Sequence, residues 1–156
     1  MQHSVTLDPQ DLAILVALQE NGALTNAELA ERVRLSASQS SRRRQRLEEA
    51  GVIKGYRAEI DPIRVGLSVT VYIQVSLATH SGQNAKRFRD LVARTPEILE
   101  AHALTGDADY LMKVVVTDLA ALGRLVNEVL LPHESVERVR SNVVLETLKQ
   151  GGRLPI

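Results

Sequence analysis

The chain contains no cysteine, which excludes a disulfide framework and a thiolate metal site and fits a reducing cytoplasm. It has no excess of either charge: 19 Lys and Arg offset 19 Asp and Glu over 156 residues. Bulk attraction to polyanions is therefore excluded, and any basic function must be local. No apolar run approaches the roughly 20 residues a membrane helix needs, and Met1-Gln2-His3-Ser4 has neither the basic nor the apolar part of a secretion signal. Repeats and low-complexity segments are lacking. So are Ser/His/Asp and Cys/His arrangements, phosphate-binding glycine loops and zinc-type spacings, so no catalytic residue, metal ligand or cofactor is assigned. The histidines, His3, His80, His102 and His133, are scattered. They read as solvated or strand-packed, with His102 nearest to a site. What remains is an ordinary soluble composition, 44% hydrophobic and 24% charged, of a length that allows one domain or two small ones.

The charge that is present is concentrated. Between Ser36 and Gly51 lie Arg42, Arg43, Arg44 and Arg46, with no acid before Glu48. Ser36 followed by Gln39 is a capping box, and Gly51 is a C-terminal stop, so the segment reads as one helix. A helix that begins with small polar residues and then turns basic suits the DNA major groove; a solvated basic face is the competing reading. Upstream, Asp8-Pro9 opens a helix with an apolar stripe of Leu12, Leu15, Val16 and Leu18 up to Gly22. Thr25 and Glu28 form a second capping box, before a helix with Leu29 and Val33 inward. Only Arg34-Leu35 separates that helix from the basic one. Two capped helices joined so tightly form a helix-turn-helix signature, against the alternative of a compact three-helix protein-binding unit.

At 3.6 residues per turn, Leu47 of the basic helix faces the core, with Ser40 and Arg44 on its side. Arg44 then covers apolar surface with its stem and sends its head to the edge. Ser38, Ser41, Arg42, Gln45 and Arg46 point outward; Arg42, Gln45 and Arg46 are the best DNA contacts, with Ser36, Gln39 and Arg43 completing the helix's set. Val52–Ile60, turning at Gly55, reads as a short β-ribbon or wing that offers Lys54 and Arg57 to phosphate. Residues 1–60 form this domain, and 61–66, containing Asp61-Pro62 and Gly66, form a linker.

Residues 67–156 form the second domain. From Leu67 the pattern alternates, with Val69, Val71, Ile73, Val75 and Leu77 on one face. A helix follows from about Asn84 to Thr95, then strands at Ile98–Thr105 and Tyr110–Thr117. A helix capped by Asp118 and a long last strand, Val136–Leu148, complete it. The order βαββαβ is the ferredoxin-like split motif, so the fold class is α+β: an N-terminal winged helix-turn-helix and a C-terminal ferredoxin-like domain. One sheet face is left bare of helices. With apolar residues expected on both faces of several strands, it should pack on a second copy as a homodimer.

The turn Thr105-Gly106-Asp107-Ala108-Asp109-Tyr110 has three readings. It is a polar hairpin turn; or a metal site, for which two carboxylates are too few ligands; or an amino-acid pocket. In the last, a carboxylate holds the ligand's ammonium and backbone N–H groups beside Gly106 admit its carboxylate.

The ordered set Leu7-Asp8, Asp11, Ile14-Leu15, Leu24-Thr25-Asn26, Glu28-Leu29-Ala30, Val33, Leu35-Ser36, Arg42-Arg43, Arg46-Leu47-Glu48, Gly51-Val52-Ile53, Tyr56 and Leu104 to Tyr110 resembles the Lrp/AsnC (leucine-responsive/asparagine regulator, feast-or-famine) family. The resemblance spans nearly the whole chain. It implies a cytoplasmic transcriptional regulator with a DNA-binding winged helix-turn-helix and an effector domain that binds a small amino acid. It also implies dimers formed through the sheets, often assembled to octamers, with effector near the turn. The effector residues are then Thr105, Gly106, Asp107, Asp109, Tyr110 and Ser141. The chain departs from the family pattern in two places, the basic helix and the last strand. Ser40 and Arg44 stand where aliphatic residues are usual, and Val139 with Ser141 replaces a pair of hydroxyls on the last strand. A small aliphatic or uncharged polar effector is expected, although Arg138 and Arg140 leave a charged one open. Two other functions compete: an architectural DNA-wrapping protein without effector, and an enzyme like the tetrapyrrole decarboxylases that share this plan.

Overall fold

The computed structural model describes residues 6–79 and 81–156, so His3 and His80 lie outside the described residues. They form two compact units: one runs up to Glu59 and takes in Lys149–Ile156, the other is Ile60–Leu148. The division expected at 61–66 is therefore shifted in two ways. Residues 61–66 join the second unit through a short 3-10 turn, Ile63–Val65. The tail from Lys149, expected with the sheet, belongs to the first unit. There the Gln19 carboxamide oxygen accepts the Leu154 N–H at 2.6 Å and Arg153 pairs with Glu20 at 2.7 Å.

In the first unit, helices α1 (Pro9–Glu20), α2 (Asn26–Val33) and α3 (Ala37–Glu49) are each opened by a capping box, at Asp8, Thr25 and Ser36. Arg34 between α2 and α3 takes a left-handed conformation (φ 57°) that makes the tight turn. Ile14, Leu15, Leu18, Leu29 and Leu47 form the core, with Val33, Val52 and Ile53 packed on it. The stripe of α1 is thus rotated from the expected one. Val16 is exposed and Leu12 half-buried, while Asp11 occupies the inward position three residues before Ile14 and is fully buried. The ribbon expected over Val52–Ile60 is absent: no residue of that segment pairs as a strand. Too few residues flank Gly55 for an isolated hairpin, which is marginal in water at best.

The second unit carries strands β1 (Val69–Leu77), β2 (Ile98–Ala103), β3 (Tyr110–Val116) and β4 (Val136–Val143), all antiparallel and ordered β2-β3-β1-β4. Helix α4 (Gly82–Arg94) follows β1. Helix α5 (Leu119–Arg124), capped by Asp118, continues as a wider π-type turn, Leu125–Leu130. Both helices lie on one face, where Phe88, Leu122, Leu125 and Leu130 meet Val71, Ile73, Val75, Met112 and Val114. Each fully buried side chain of this kind contributes roughly 1.5–3 kcal/mol. The last strand stops at Val143 and not at Leu148. Beyond Val143 only Val144 continues the ladder, donating to the Thr70 carbonyl. The bare face matches expectation only in part. By register it carries Thr70, Tyr72, Gln74 and Ser76 of β1, Leu111, Lys113 and Val115 of β3 and Arg138, Arg140 and Asn142 of β4. Alternation along β1 and β4 puts their apolar residues on the helix side, whereas β3 is apolar on both faces.

Candidate functional site

The basic helix is held where it is by its own residues. Ser36 Oγ accepts the Gln39 N–H, and Gln39 Oε1 accepts the Ser36 N–H, so both side chains serve the cap. Ser38 Oγ lies 3.2 Å from Ser36 Oγ, Ser41 Oγ accepts from Asn26, and Gln45 bonds Glu49. The four arginines have separate fates. Arg44 lies over the Tyr56 ring, 4.7 Å from its centroid, and donates to the Tyr56 hydroxyl and the Leu24 carbonyl. Its head is thus anchored inside the unit and not sent to the edge. Arg43 Nη1 bridges Asp8 at 2.7 Å and Asp11 at 2.8 Å, and Arg46 Nη2 reaches the other Asp11 oxygen. Arg42 makes no ion pair with a described residue, and shares with Asp8, Arg43 and Arg46 the lining of an open pocket of about 290 Å³. Lys54 and Arg57 are exposed.

Asp11, noted in the sequence only as part of the family motif, is the residue to which the sequence reading gave no role. Burial pushes its carboxyl up, but the Asp8 backbone N–H and the guanidinium groups of Arg46 and Arg43 more than offset this. Together they hold it at about 2, below its ordinary 3.8. The available signal was its spacing, three before Ile14 and three after the N-cap Asp8. Ser40, on the inward face of α3, is fully buried, and its hydroxyl has no hydrogen-bond partner among the described residues.

In the second unit the turn after β2 divides the expected effector residues. Asp109 is built into the fold: its carboxylate accepts the Leu77 N–H at 2.7 Å, and its backbone bonds Val75 and Leu104. Tyr110 faces the helices and packs on Phe88, centroids 4.7 Å apart. Ser141, paired with Ile73, alternates with Arg138 and Arg140 and so lies on the other side of β4. Gly106 has φ 138°, a conformation that other residues rarely adopt, and nothing lies within 4 Å of an added Cβ. Asp107 instead opens onto a pocket of about 360 Å³ on the bare face, lined by Gln74, Ser76, Ala108, Arg138 and Arg140. Thr105 and Gly106 are exposed beside it. His102 is exposed on β2, 3.6 Å from Glu100. Among the described residues no cluster of three or more potential ligands is placed to hold a metal.

Two family models match the chain: the winged helix-turn-helix DNA-binding domain over residues 7–54, and the Lrp/AsnC ligand binding domain over residues 70–154. The chain belongs to the Lrp/AsnC family. Among its relatives, the leucine-responsive regulatory protein of Rhizobium meliloti (strain 1021) is 38% identical over 152 residues, covering 97% of each chain. That of Escherichia coli (strain K12) is 38% identical over 150 residues, 96% of this chain and 92% of the other. A transcriptional regulator of Neisseria meningitidis, solved as its complex with L-Met, superposes with a TM-score of 0.93 at 41% identity, covering 96% and 97% of the two chains. An AsnC family regulator of Agrobacterium tumefaciens gives 0.89 at 38%, with the same coverage. The helix-turn-helix match falls in the first unit and the ligand-binding match in the second, except for its residues 149–154, which belong to the first. No helix among the described residues is long and apolar enough to cross a membrane.

Proposed function

We propose that this chain is a cytoplasmic, homodimeric transcriptional regulator whose operator affinity or assembly is tuned by a small amino acid, with dimers assembling further to octamers. The observation that carries the reading is the capped basic helix α3 within a family helix-turn-helix, with Arg42 making no ion pair with a described residue. Ser38, Ser41, Arg42 and Gln45 take the base edges; Ser36 and Gln39 set the helix N-terminus; Arg43, Arg46, Lys54 and Arg57 take phosphate. The Neisseria relative's complex with L-Met supports an amino-acid effector. The pocket beside Asp107 offers the charges a zwitterion needs: one carboxylate for its ammonium, two guanidinium groups for its carboxylate. Thr105, Gly106, Asp109 and Tyr110 shape the turn that presents Asp107. A second copy packed on the bare sheet face closes the open side of the pocket. The relatives' names are those of regulators, and no catalytic role is assigned.

A thermal-shift series with the twenty amino acids tests the effector, because a ligand that binds only the native state raises apparent stability by mass action. A small, uncharged amino acid should raise the midpoint, and an Asp107→Asn variant should lose that response; a flat series would overturn amino-acid control. Footprinting should show half-sites roughly 10 bp apart, or a multiple of that, in an imperfect palindrome. Protection of isolated single half-sites would contradict the dimer.

A further inference from the structure

Asp11 is an unusual residue to find beneath a DNA-reading helix: a fully buried carboxylate, which DNA phosphates repel, at the point where α1 meets α3. Its two oxygens are divided. One accepts Arg43 Nη1; the other accepts Arg46 Nη2 and the Asp8 backbone N–H. Asp8 takes Arg43 from the outer side, at 2.7 Å. Each guanidinium has five N–H donors and spends few of them here. Arg46 remains 49% exposed and Arg43 28%, and with Arg42 they rim an open pocket of about 290 Å³.

We propose that Asp11 is a positioning residue of the DNA interface, which holds Arg43 and Arg46 as a prearranged pair for one backbone phosphate while Arg42 is left free for the bases. The geometry favours phosphate over base for the tethered pair. Heads tied to the N-terminal end of α1 cannot extend along the groove floor, but their outward N–H groups present the fork that a phosphate oxygen pair accepts. A free arginine loses about 2 kcal/mol of rotamer freedom when it is fixed. Tethered to a buried carboxylate, both side chains have lost most of it before DNA arrives, which is how prearrangement gains affinity. The N-terminal end of α1 adds its partial positive charge.

This rests on α3 being the element that enters the groove, so Arg42→Ala is the control for that reading. The full-length protein is titrated across salt with two probes: a duplex enriched on it from a random pool, and a random-sequence duplex of equal length. Arg42→Ala should weaken the enriched duplex selectively; if it changes nothing, the placement of α3 fails, whatever Asp11 does. Arg43→Ala and Arg46→Ala should weaken both duplexes alike, about tenfold each, and reduce the slope of log affinity against log salt by about 1. The deciding variant is Asp11→Asn, with its fold verified by circular dichroism. A positioning role gives weaker binding to both duplexes and a shallower slope, although the substitution removes a repelling charge. A purely structural role leaves the slope of the folded fraction unchanged. An acid that only masks the arginines gives tighter binding and a steeper slope. Either of the last two results overturns the proposal. Should Asp11→Asn fail to fold, Asp8→Asn, which releases only the outer hold on Arg43, carries the same signs on a smaller scale.

Discussion

Ser40 lies on the inward face of α3, its hydroxyl buried and without a hydrogen-bond partner among the described residues. A buried polar group left without a partner costs about 1–3 kcal/mol, more than a serine methylene returns. Ser40→Ala should therefore stabilise the protein by about 1 kcal/mol, read as a higher urea midpoint with unchanged slope; a destabilised variant would mean the hydroxyl is satisfied after all. Asp11 gives the opposite sign. Its folded-state carboxyl lies at about 2, below the ordinary 3.8. The stability it contributes is fully present above pH 4 and is lost as pH falls from about 4 through 2, about 2 kcal/mol in all. Unfolding followed between pH 5 and pH 2 should show that loss in the wild type and its absence in Asp11→Asn. The helical wheel already put Ser40 on the core side with Leu47. The burial of Asp11 was not legible, because an acid reads as solvated until the partners that bury it are known, and those stand 32 and 35 residues away.

Among the elements, what local chemistry controls was legible. The capping boxes at Thr25 and Ser36 involve residues three apart, and they opened helices where the sequence placed them. The alternation Val69 to Leu77 likewise fixed which face of β1 is buried. The elements that were misread depend on partners distant in the chain. The segment after Gly51 has alternating character but no second strand to pair with. The last strand ends at Val143, opposite Val71 of β1, and beyond it only Val144 bonds across, to the Thr70 carbonyl. At the turn, the two acids looked equivalent in sequence and differ in their surroundings: Asp109 accepts the Leu77 N–H, Asp107 opens onto the pocket. Asp109→Ala should therefore cost about 1–3 kcal/mol by stranding that N–H, while Asp107→Ala should leave the thermal midpoint within about 1 °C. Equal losses at both positions would remove the distinction on which the pocket assignment stands.

At the scale of the molecule, the two-domain plan and the βαββαβ element order were legible from periodicity, and the family from its resemblance, but the place of the last eight residues was not. Lys149–Ile156 carries no periodic signal, and its return to α1 rests on Gln19, Glu20 and the Leu154 backbone. Truncation after Leu148 should lower protection from hydrogen exchange in α1 by about 1 kcal/mol of opening free energy and leave β1 and β3 unchanged. A uniform loss would show that the tail supports the sheet instead. Since the chain leaves the helical unit at Glu59 and re-enters it at Lys149, the sheet unit is in polymer terms a loop whose two ends are pinned to the same body. A single proteolytic nick near Pro62 would not free the halves, because the tail contacts would still join the two fragments. A force drawn through the DNA-binding unit would reach the sheet through two strands of chain, one covalent and one held only by a removable latch.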